Sequence, residues 1–351
     1  MAIPAIVTAG DSRAAKAVYG KSKVYLEVDG LPLVAHVVRT LQDCPEIDAV
    51  WVVGDVGRLE QALGSKGLRD TLRKPLLIVP QQRDLISNAW ETYRRVLADD
   101  VRAGRDPVSE ADLDREVLYL SGDLPVATPQ EISVFVREAQ AQGVDYVLGL
   151  CPAEALEVFQ PTKPDETGIT LAYFNCRDGR FRQNNLHYAR PARIGRRDRI
   201  EEMYELRHQR RFWNMFTLAV RLLLSRVGGI KIAILFSFMH LAGVADRSGR
   251  SRLARVLARF VTLEHNRSTI ARILDTRFAF AVTESGGCAL DIDTEEEYDA
   301  MCERYEQWWP EQQERSRKIH GPLLAAPVAA AGDDLRIEIG RHGEQREGED
   351  S

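Results

Sequence analysis

Three short clusters in this chain have side chains suited to handling phosphate and a divalent cation. The first is Ala9-Gly10-Asp11-Ser12-Arg13, where the apolar run 3–8 breaks into a small loop, with Lys16, Lys21 and Lys23 close behind. A buried strand ending in such a loop presents backbone N–H groups at its carboxyl end, the edge where open α/β sheets bind ligands. Lysines add positive charge without imposing planar geometry, which suits phosphate oxygens. An ordinary strand-to-helix turn would use the same residues. The second cluster is Ser121-Gly122-Asp123-Leu124-Pro125, directly after the apolar run 117–120. A lone carboxylate at that edge, beside a triphosphate, is a natural Mg²⁺ ligand, since Mg²⁺ takes one or two carboxylates plus phosphate oxygens and water. The plainer reading is an Asx turn or helix cap ahead of Pro125. The third is Asp291-Ile292-Asp293-Thr294. Asp291 and Asp293 share one face by the period of two, so either or both approach Asp123; Asp293 alternatively only caps the helix that follows.

The elements that must position these clusters follow from hydrophobic periodicity. Residues 3–8, 49–53, 75–79, 117–120 and 146–150 read as strands, and 33–41, 58–72, 85–97 and 129–142 as helices between them. Strand and helix alternating in this order predict an α/β fold: a mostly parallel, Rossmann-like sheet covered by helices on both faces. After Cys151 the rhythm changes. Residues 170–175 and 180–183 suggest a two-strand excursion around Asp178-Gly179, and from about 196 to 273 nearly everything reads as helix. The sheet then resumes with 278–283, with 289–292 as a further strand candidate. A helix over 295–309 is opened by the capping-box order Thr294-Glu295-Glu296-Glu297. The expected organisation is a core over 1–195, a helical insertion over 196–276, completion of the core over 277–319 and a disordered tail over 320–351.

The chain has 351 residues, 44% hydrophobic and 28% charged, the composition of a globular protein able to bury a core. It opens Met-Ala-Ile-Pro-Ala-Ile with no basic n-region, and its five cysteines are widely spaced with no C-x-x-C. Those features argue against a secretory signal, a disulfide framework and a zinc site, and make the cytoplasm the expected compartment. The net charge of −5 hides segregation: residues 190–275 carry 18 basic against seven acidic residues, +11, leaving −16 for the rest. Such asymmetry implies either an anionic partner or an arginine-rich face paired with the chain's own acids.

Taken together, the segments resemble the MobA-like NTP-transferase family, nucleotidyltransferases with a GT-A-type fold. The matching residues are Thr8-Ala-Gly-Asp-Ser-Arg13, Lys23-Val-Tyr-Leu-Glu-Val-Asp-Gly30-Leu-Pro-Leu, Gly122-Asp123-Leu-Pro and Asp291-Ile-Asp293-Thr-Glu-Glu-Glu-Tyr298, over roughly residues 3–190 and 277–309. The resemblance implies that the loop Ala9–Arg13 holds the nucleotide phosphates and that Lys23 contacts phosphate. It further implies that Asp123 holds Mg²⁺ and that Asp293 or Asp291 helps hold metal or acceptor. One departure stands out: Ser12 is followed directly by Arg13, so the loop is short or shifted, and Lys16 or Lys21 competes with Arg13 for the loop arginine's task. Relatives place base-recognising groups where this chain has Pro80-Gln81-Gln82-Arg83 and Ser87-Asn88-Ala89; side-chain amides read a base edge, and Ser87-Asn88 also suits a helix cap. Arg182-Gln183-Asn184-Asn185, with Lys163 upstream, is a candidate lining for the acceptor pocket.

The activity implied is in-line attack by an acceptor oxygen on the α-phosphorus of a nucleoside triphosphate, with pyrophosphate leaving, which needs positioning and charge neutralisation more than a covalent nucleophile. The acceptor is a phosphorylated or hydroxyl compound, either a small molecule or a lipid precursor. The Asp291-Ile-Asp293-Thr ending is similar to the cytidylyltransferase branch, which leans the base toward cytosine. A GT-A glycosyltransferase would want Asp-x-Asp after the fourth strand, where this chain has a single Asp123. A non-catalytic protein that kept the fold is the third reading, supported by the short loop. Within the insertion, 212–244 is unusually apolar, yet the run 232–245 spans 14 residues, short of the roughly 20 a membrane-crossing helix needs. The basic amphipathic stretch after it fits peripheral contact of 212–262 with an anionic membrane, against an internally packed subdomain or a homodimer interface. No nucleic-acid-binding module is recognisable.

Overall fold

The computed structural model describes residues 1–10, 17–64, 68, 72–161, 163, 166–197, 199–200, 238, 241–245, 248–323 and 337–340. In chain order the first strands are β1 (Ile3–Ala9), β2 (Ala17–Val18), β3 (Lys21–Ser22), β4 (Glu27–Val28), β5 (Leu31–Pro32), β6 (Ile47–Gly54) and β7 (Leu76–Pro80). They are followed by β8 (Val117–Ser121), β9 (Tyr146–Pro152), β10 (Phe174–Cys176), β11 (Gly179–Ala189), β12 (Phe278–Val282) and β13 (Ile337–Ile339). The α-helices are α1 (Leu33–Gln42), α2 (Val56–Leu63), α3 (Leu85–Ala98), α4 (Glu110–Leu113), α5 (Pro129–Gln142), α6 (Ser251–Ala258), α7 (Leu263–Leu274) and α8 (Glu295–His320).

One nine-stranded sheet runs β12-β9-β11-β8-β1-β6-β7-β13, with β10 paired to the start of β11. Every pairing in it is parallel except those made by β11 with β8, β9 and β10. The central strands are apolar at nearly every position because both faces are covered. Ile3, Ala5 and Val7 of β1 join Val34, Val38 and Leu41 of α1, Leu59 of α2 and Phe135 of α5 in one core. Ile6, on the opposite face, joins Trp51, Val53, Leu77 and Val79 against Tyr93, Val96 and Leu97 of α3. This is the doubly covered α/β architecture expected from the alternation. The carboxyl ends of β1, β6, β7, β8, β9 and β12 share one edge, where β11 begins. The close approach there requires glycine: a Cβ at Gly54 would stand 2.7 Å from the Ala9 carbonyl oxygen.

Four sequence expectations are corrected. Helix α2 ends at a Gly64 C-cap rather than continuing to 72. Residues 289–292 are not a strand but leave a 3₁₀ turn, Gly287–Ala289, because other groups take their carbonyls: Arg182 Nε donates to Ala289 O at 2.8 Å. Helix α8 passes through Pro310 to His320. Beyond the proline it is held by Gln312 Nε2 donating to Ser285 O (2.9 Å), Arg315 Nη1 to Ala155 O (3.0 Å) and the buried Ser316–Thr128 hydroxyl pair (2.6 Å). The tail is not wholly without structure: β13 extends the sheet by pairing parallel to β7. The rest of the expected tail, and 201–237 of the insertion with most of its apolar stretch, lie outside the described residues. Within the described residues no helix is long and apolar enough to cross a membrane. The described cysteines are all free, and Cys44, Cys151, Cys176 and Cys288 are buried.

Helix α8 is stapled to α1 by a buried imidazole. His36 Nε2 donates to Val28 O (2.8 Å) while Nδ1 accepts from Tyr305 Oη (3.0 Å), a pattern that fits the neutral ring. Burial, reinforced by Arg39, lowers the His36 pKa from 6.5 to about 4. The unfolded chain therefore takes a proton that the folded chain refuses. Stability is full above pH 6.5 and falls by about 3 kcal/mol as pH drops from 6.5 toward 4. Denaturant titrations across this range should show the slope in the wild type and a flatter one in His36→Gln.

Candidate functional site

The lysine-bearing turn is pinned to the helix that follows the acidic cluster. Tyr19 Oη donates to Asp299 Oδ2 (2.6 Å), Tyr19 N to Glu295 Oε1 (3.1 Å) and Tyr298 Oη to Glu27 O (2.7 Å). The β2–β3 hairpin is thereby docked on the first turns of α8, and Lys23, opening a 3₁₀ turn after β3, lies beside the residues preceding α8. Its Nζ stands 2.5 Å from Asp123 Oδ2 and 2.8 Å from Asp293 Oδ1.

Each carboxylate is set by a different local device. Asp123 is fully buried after β8; Gly122 N donates to Thr8 O (3.0 Å) and Ser121 Oγ donates to Asp123 Oδ1. Asp293 is relieved of capping duty because Thr294 does that work: its Oγ1 accepts from Glu297 N (3.2 Å), and Glu297 Oε2 accepts from Asp293 N (2.6 Å) and Thr294 N (3.0 Å). The Asp293 carboxylate is thus turned to Lys23. Asp291 is buried and paired with Arg182, whose Nη2 lies 2.7 Å from Oδ1. The three aspartates offer carboxylate oxygens all within 4.8 Å of one another.

The charges are strongly interdependent. Burial raises the Asp123 carboxyl above its ordinary range, helped by Asp291 and opposed by Lys23. Burial also works against the Lys23 ammonium, but Asp123, Asp293 and Asp291 more than offset it, so its pKa is raised. For Asp291 the desolvation is outweighed by Arg182 and Lys23, which hold it below the usual carboxylate value. Among the described residues, three acids in the cluster face two cations, Lys23 and Arg182. The donors are hard oxygens at a spacing that suits a small divalent cation.

Other sequence candidates fall into place unevenly. Ala9 ends β1 buried, and Gly10 lies against the segment after β7: a Cβ there would stand 3.3 Å from Gln81 Oε1 and 3.4 Å from Asn88 Nδ2. Gly10 and the amide-rich segment therefore share one edge. Gln82 is partly exposed, its N donating to Asn88 Oδ1 and its Nε2 to Pro80 O (3.3 Å). Ser87 does not cap α3; Asp84 does, its Oδ1 accepting from Ser87 N at 2.7 Å. Asn184 does not line a pocket. It is fully buried, donating to Thr283 Oγ1 (2.8 Å), which donates to Glu131 Oε1 (2.7 Å). Asn185 Nδ2 reaches Cys288 O at 3.4 Å, and Lys163 is exposed. Asp11, Ser12, Arg13 and Lys16 lie outside the described residues.

Sequence reasoning missed that Arg182 belongs to Asp291 rather than to an open pocket. The usable signal was an arginine on a sheet strand facing a buried acid late in the chain. Arg182 makes three directed contacts: Nη2 to Asp291, Nε to Ala289 O and Nη1 to Ala172 O (3.4 Å). Arg182→Gln would leave Asp291 buried beside two other aspartates, so a loss of about 3 kcal/mol is expected in urea unfolding. Arg182→Lys should recover less than half of it, because an ammonium cannot reproduce the fork.

No protein-family model and no curated protein matches the chain. Solved structures do resemble it. A hypothetical transferase from Thermus thermophilus is 21% identical, with a TM-score of 0.49, and the likeness covers 85% of this chain and 99% of that one. A CMP:2-keto-3-deoxy-manno-octonic acid synthetase complexed with CTP is 13% identical, TM-score 0.43, over 88% and 99% of the two chains. A 4-diphosphocytidyl-2C-methyl-D-erythritol synthase from Anaerococcus prevotii is 14% identical, TM-score 0.42, over 87% and 99%.

Proposed function

We propose that the chain is a Mg²⁺-dependent nucleotidyltransferase that moves a nucleoside monophosphate from a nucleoside triphosphate to a phosphorylated or hydroxyl acceptor. The observation that carries this reading is the convergence of Lys23, Asp123, Asp291 and Asp293 at the carboxyl edge of the sheet, where Gly10 and Gln81 also meet. Mg²⁺ held by Asp123 and Asp293 would neutralise phosphate charge and orient the α-phosphate. Asp291, already engaged by Arg182, completes the acidic wall without being needed as a first ligand. The acceptor oxygen forms a bond to the α-phosphorus as the bond from that phosphorus to the bridging oxygen of the β-phosphate breaks, and pyrophosphate leaves with the electron pair; a phosphate acceptor attacks as the oxyanion, and a hydroxyl acceptor gives its proton to solvent. By the same reading the segment after β1 would hold phosphate, and Lys23 would offer its ammonium to the same oxygens. Gln82, partly exposed, would offer its side-chain amide to a base edge, with Ser87 of α3 beside it. CTP is the expected triphosphate, on the resemblance of the Asp291-Ile-Asp293-Thr ending.

Thermal unfolding with CTP, GTP, UTP and ATP, each with and without Mg²⁺, tests the reading. One triphosphate should stabilise the protein, and only with the cation. If none of the four shifts the transition, the transferase assignment fails.

A further inference from the structure

Helix α6 packs in reverse of an ordinary amphipathic helix. It buries its alanines, Ala254 and Ala258, and exposes its large apolar residues: Leu253 is 46% and Val256 51% exposed, and Phe260, on the turn that continues the helix, is 59% exposed. Steps of three and four place these residues in one stripe. Leu241 and Val244 are exposed as well, and the Phe238 ring stacks on Phe260 with centroids 4.8 Å apart. A second stripe runs alongside: Arg252, Arg255 and Arg259, each one position before an apolar member of the first and so about 100° around the helix from it. All three arginines are exposed, and 248–261 contains four arginines and no acidic residue.

The chemistry of this face selects its occupant. Large apolar side chains lined up along one exposed helix face mark a surface that meets more than water. A second copy of the chain seated on it would bring the same arginines together across an isologous interface with no acid between them. An anionic bilayer accepts both stripes: leucine, valine and phenylalanine enter the acyl boundary while guanidinium groups stay at the phosphates. We propose that this face of α6, with Phe260, binds an anionic lipid surface.

The fold ties α6 to the hairpin that carries Arg182. The segment after α6 is clamped to the β10–β11 hairpin, with Arg177 N donating to Val261 O (2.7 Å) and Leu263 N to Asp178 Oδ2 (2.8 Å). Val261 packs with Cys176, Phe181 and Leu150. The next residue after Phe181 is Arg182, the partner of Asp291. The segment that ends α6 and the acidic cluster are therefore attached to neighbouring residues of one strand, Phe181 and Arg182. The docking proposal stands apart from the transferase reading, and its test does not depend on any turnover.

Flotation of the full chain with phosphatidylcholine vesicles, with and without phosphatidylglycerol, is the experiment. The protein should float only with the anionic vesicles, and added salt should weaken the binding. Changing Leu253, Val256 and Phe260 together to serine should abolish flotation; Phe260→Ser alone, at an exposed position, should weaken it and serves if the triple variant is poorly folded by circular dichroism. Each of Arg252→Gln, Arg255→Gln and Arg259→Gln should weaken binding about fivefold. Failure of the wild type to float with phosphatidylglycerol vesicles overturns the proposal, as does undiminished binding by the serine variants. A dimer by light scattering that the serine variants break would put a second copy on this face and overturn it too.

Discussion

Lys23→Met is expected to destabilise the ligand-free protein by about 3–5 kcal/mol, the cost of stripping the partner from a buried charge. Asp123 is fully buried, and its closest cation is the Lys23 ammonium at 2.5 Å. The loss should depend on pH in a definite direction. Burial and Asp291 already raise the Asp123 carboxyl, and without Lys23 it rises further, so the folded variant keeps a proton that the unfolded chain releases. The variant is then most stable below the ordinary carboxylate pKa and loses stability as pH climbs through the raised value. Urea unfolding of wild type and variant at several pH values would show this as a gap that widens toward neutrality. Adding Asp123→Asn removes the orphaned charge, so the double variant should be more stable than Lys23→Met alone. A gap independent of pH would mean that Lys23 contributes packing rather than charge.

Asp123→Asn should have the opposite profile: a modest effect on the empty protein and a large one on ligand binding. Lys23 retains Asp293 at 2.8 Å, so the cation is not left alone. What is lost is the deepest oxygen donor of the acidic cluster. A triphosphate at about 100 times its Kd stabilises a protein by roughly 2.7 kcal/mol. In the variant the Mg²⁺-dependent part of that shift should vanish in thermal unfolding. Pyrophosphate-releasing turnover should fall on the order of a thousandfold, since a catalytic cation contributes several kcal/mol at the transferring phosphoryl group. The pairing of two adjacent substitutions with reversed consequences, one on folding and one on binding, separates the structural from the chemical role of the same contact.

How much of this was readable from the chain depends on how local each determinant is. Strands β1, β6, β7 and β8 are legible because burial on both faces leaves continuous apolar runs, and α1 and α5 because their periodicity is clear. Strand β11 was seen only over 180–183. Asn184-Asn185 interrupts its apolar pattern, and Asn184 sits fully buried in the sheet because Thr283, far along the chain, accepts its amide hydrogen while Leu186 N donates to its Oδ1. Strand β13 is three residues long, and nothing in Ile337-Glu338-Ile339 itself says that it will pair with β7. Helix α8 outruns the Pro310 signal because tertiary bonds from Gln312 and Arg315 compensate for the break. In the site, Lys23, Asp123 and Asp293 were legible as strand-end and turn residues. That Asp293, rather than Asp291, faces the lysine was not, because it depends on Thr294 doing the capping and on Arg182 arriving from a different strand.

Mn²⁺ titration followed by electron paramagnetic resonance, with the stabilising triphosphate present, tests the central claim most directly. The sharp spectrum of aqueous Mn²⁺ should be quenched by the wild type in the presence of nucleotide, and much less by Asp123→Asn and Asp293→Asn. Equal quenching by wild type and both variants would place the cation elsewhere and contradict the assignment of this cluster as the nucleotide-cation site.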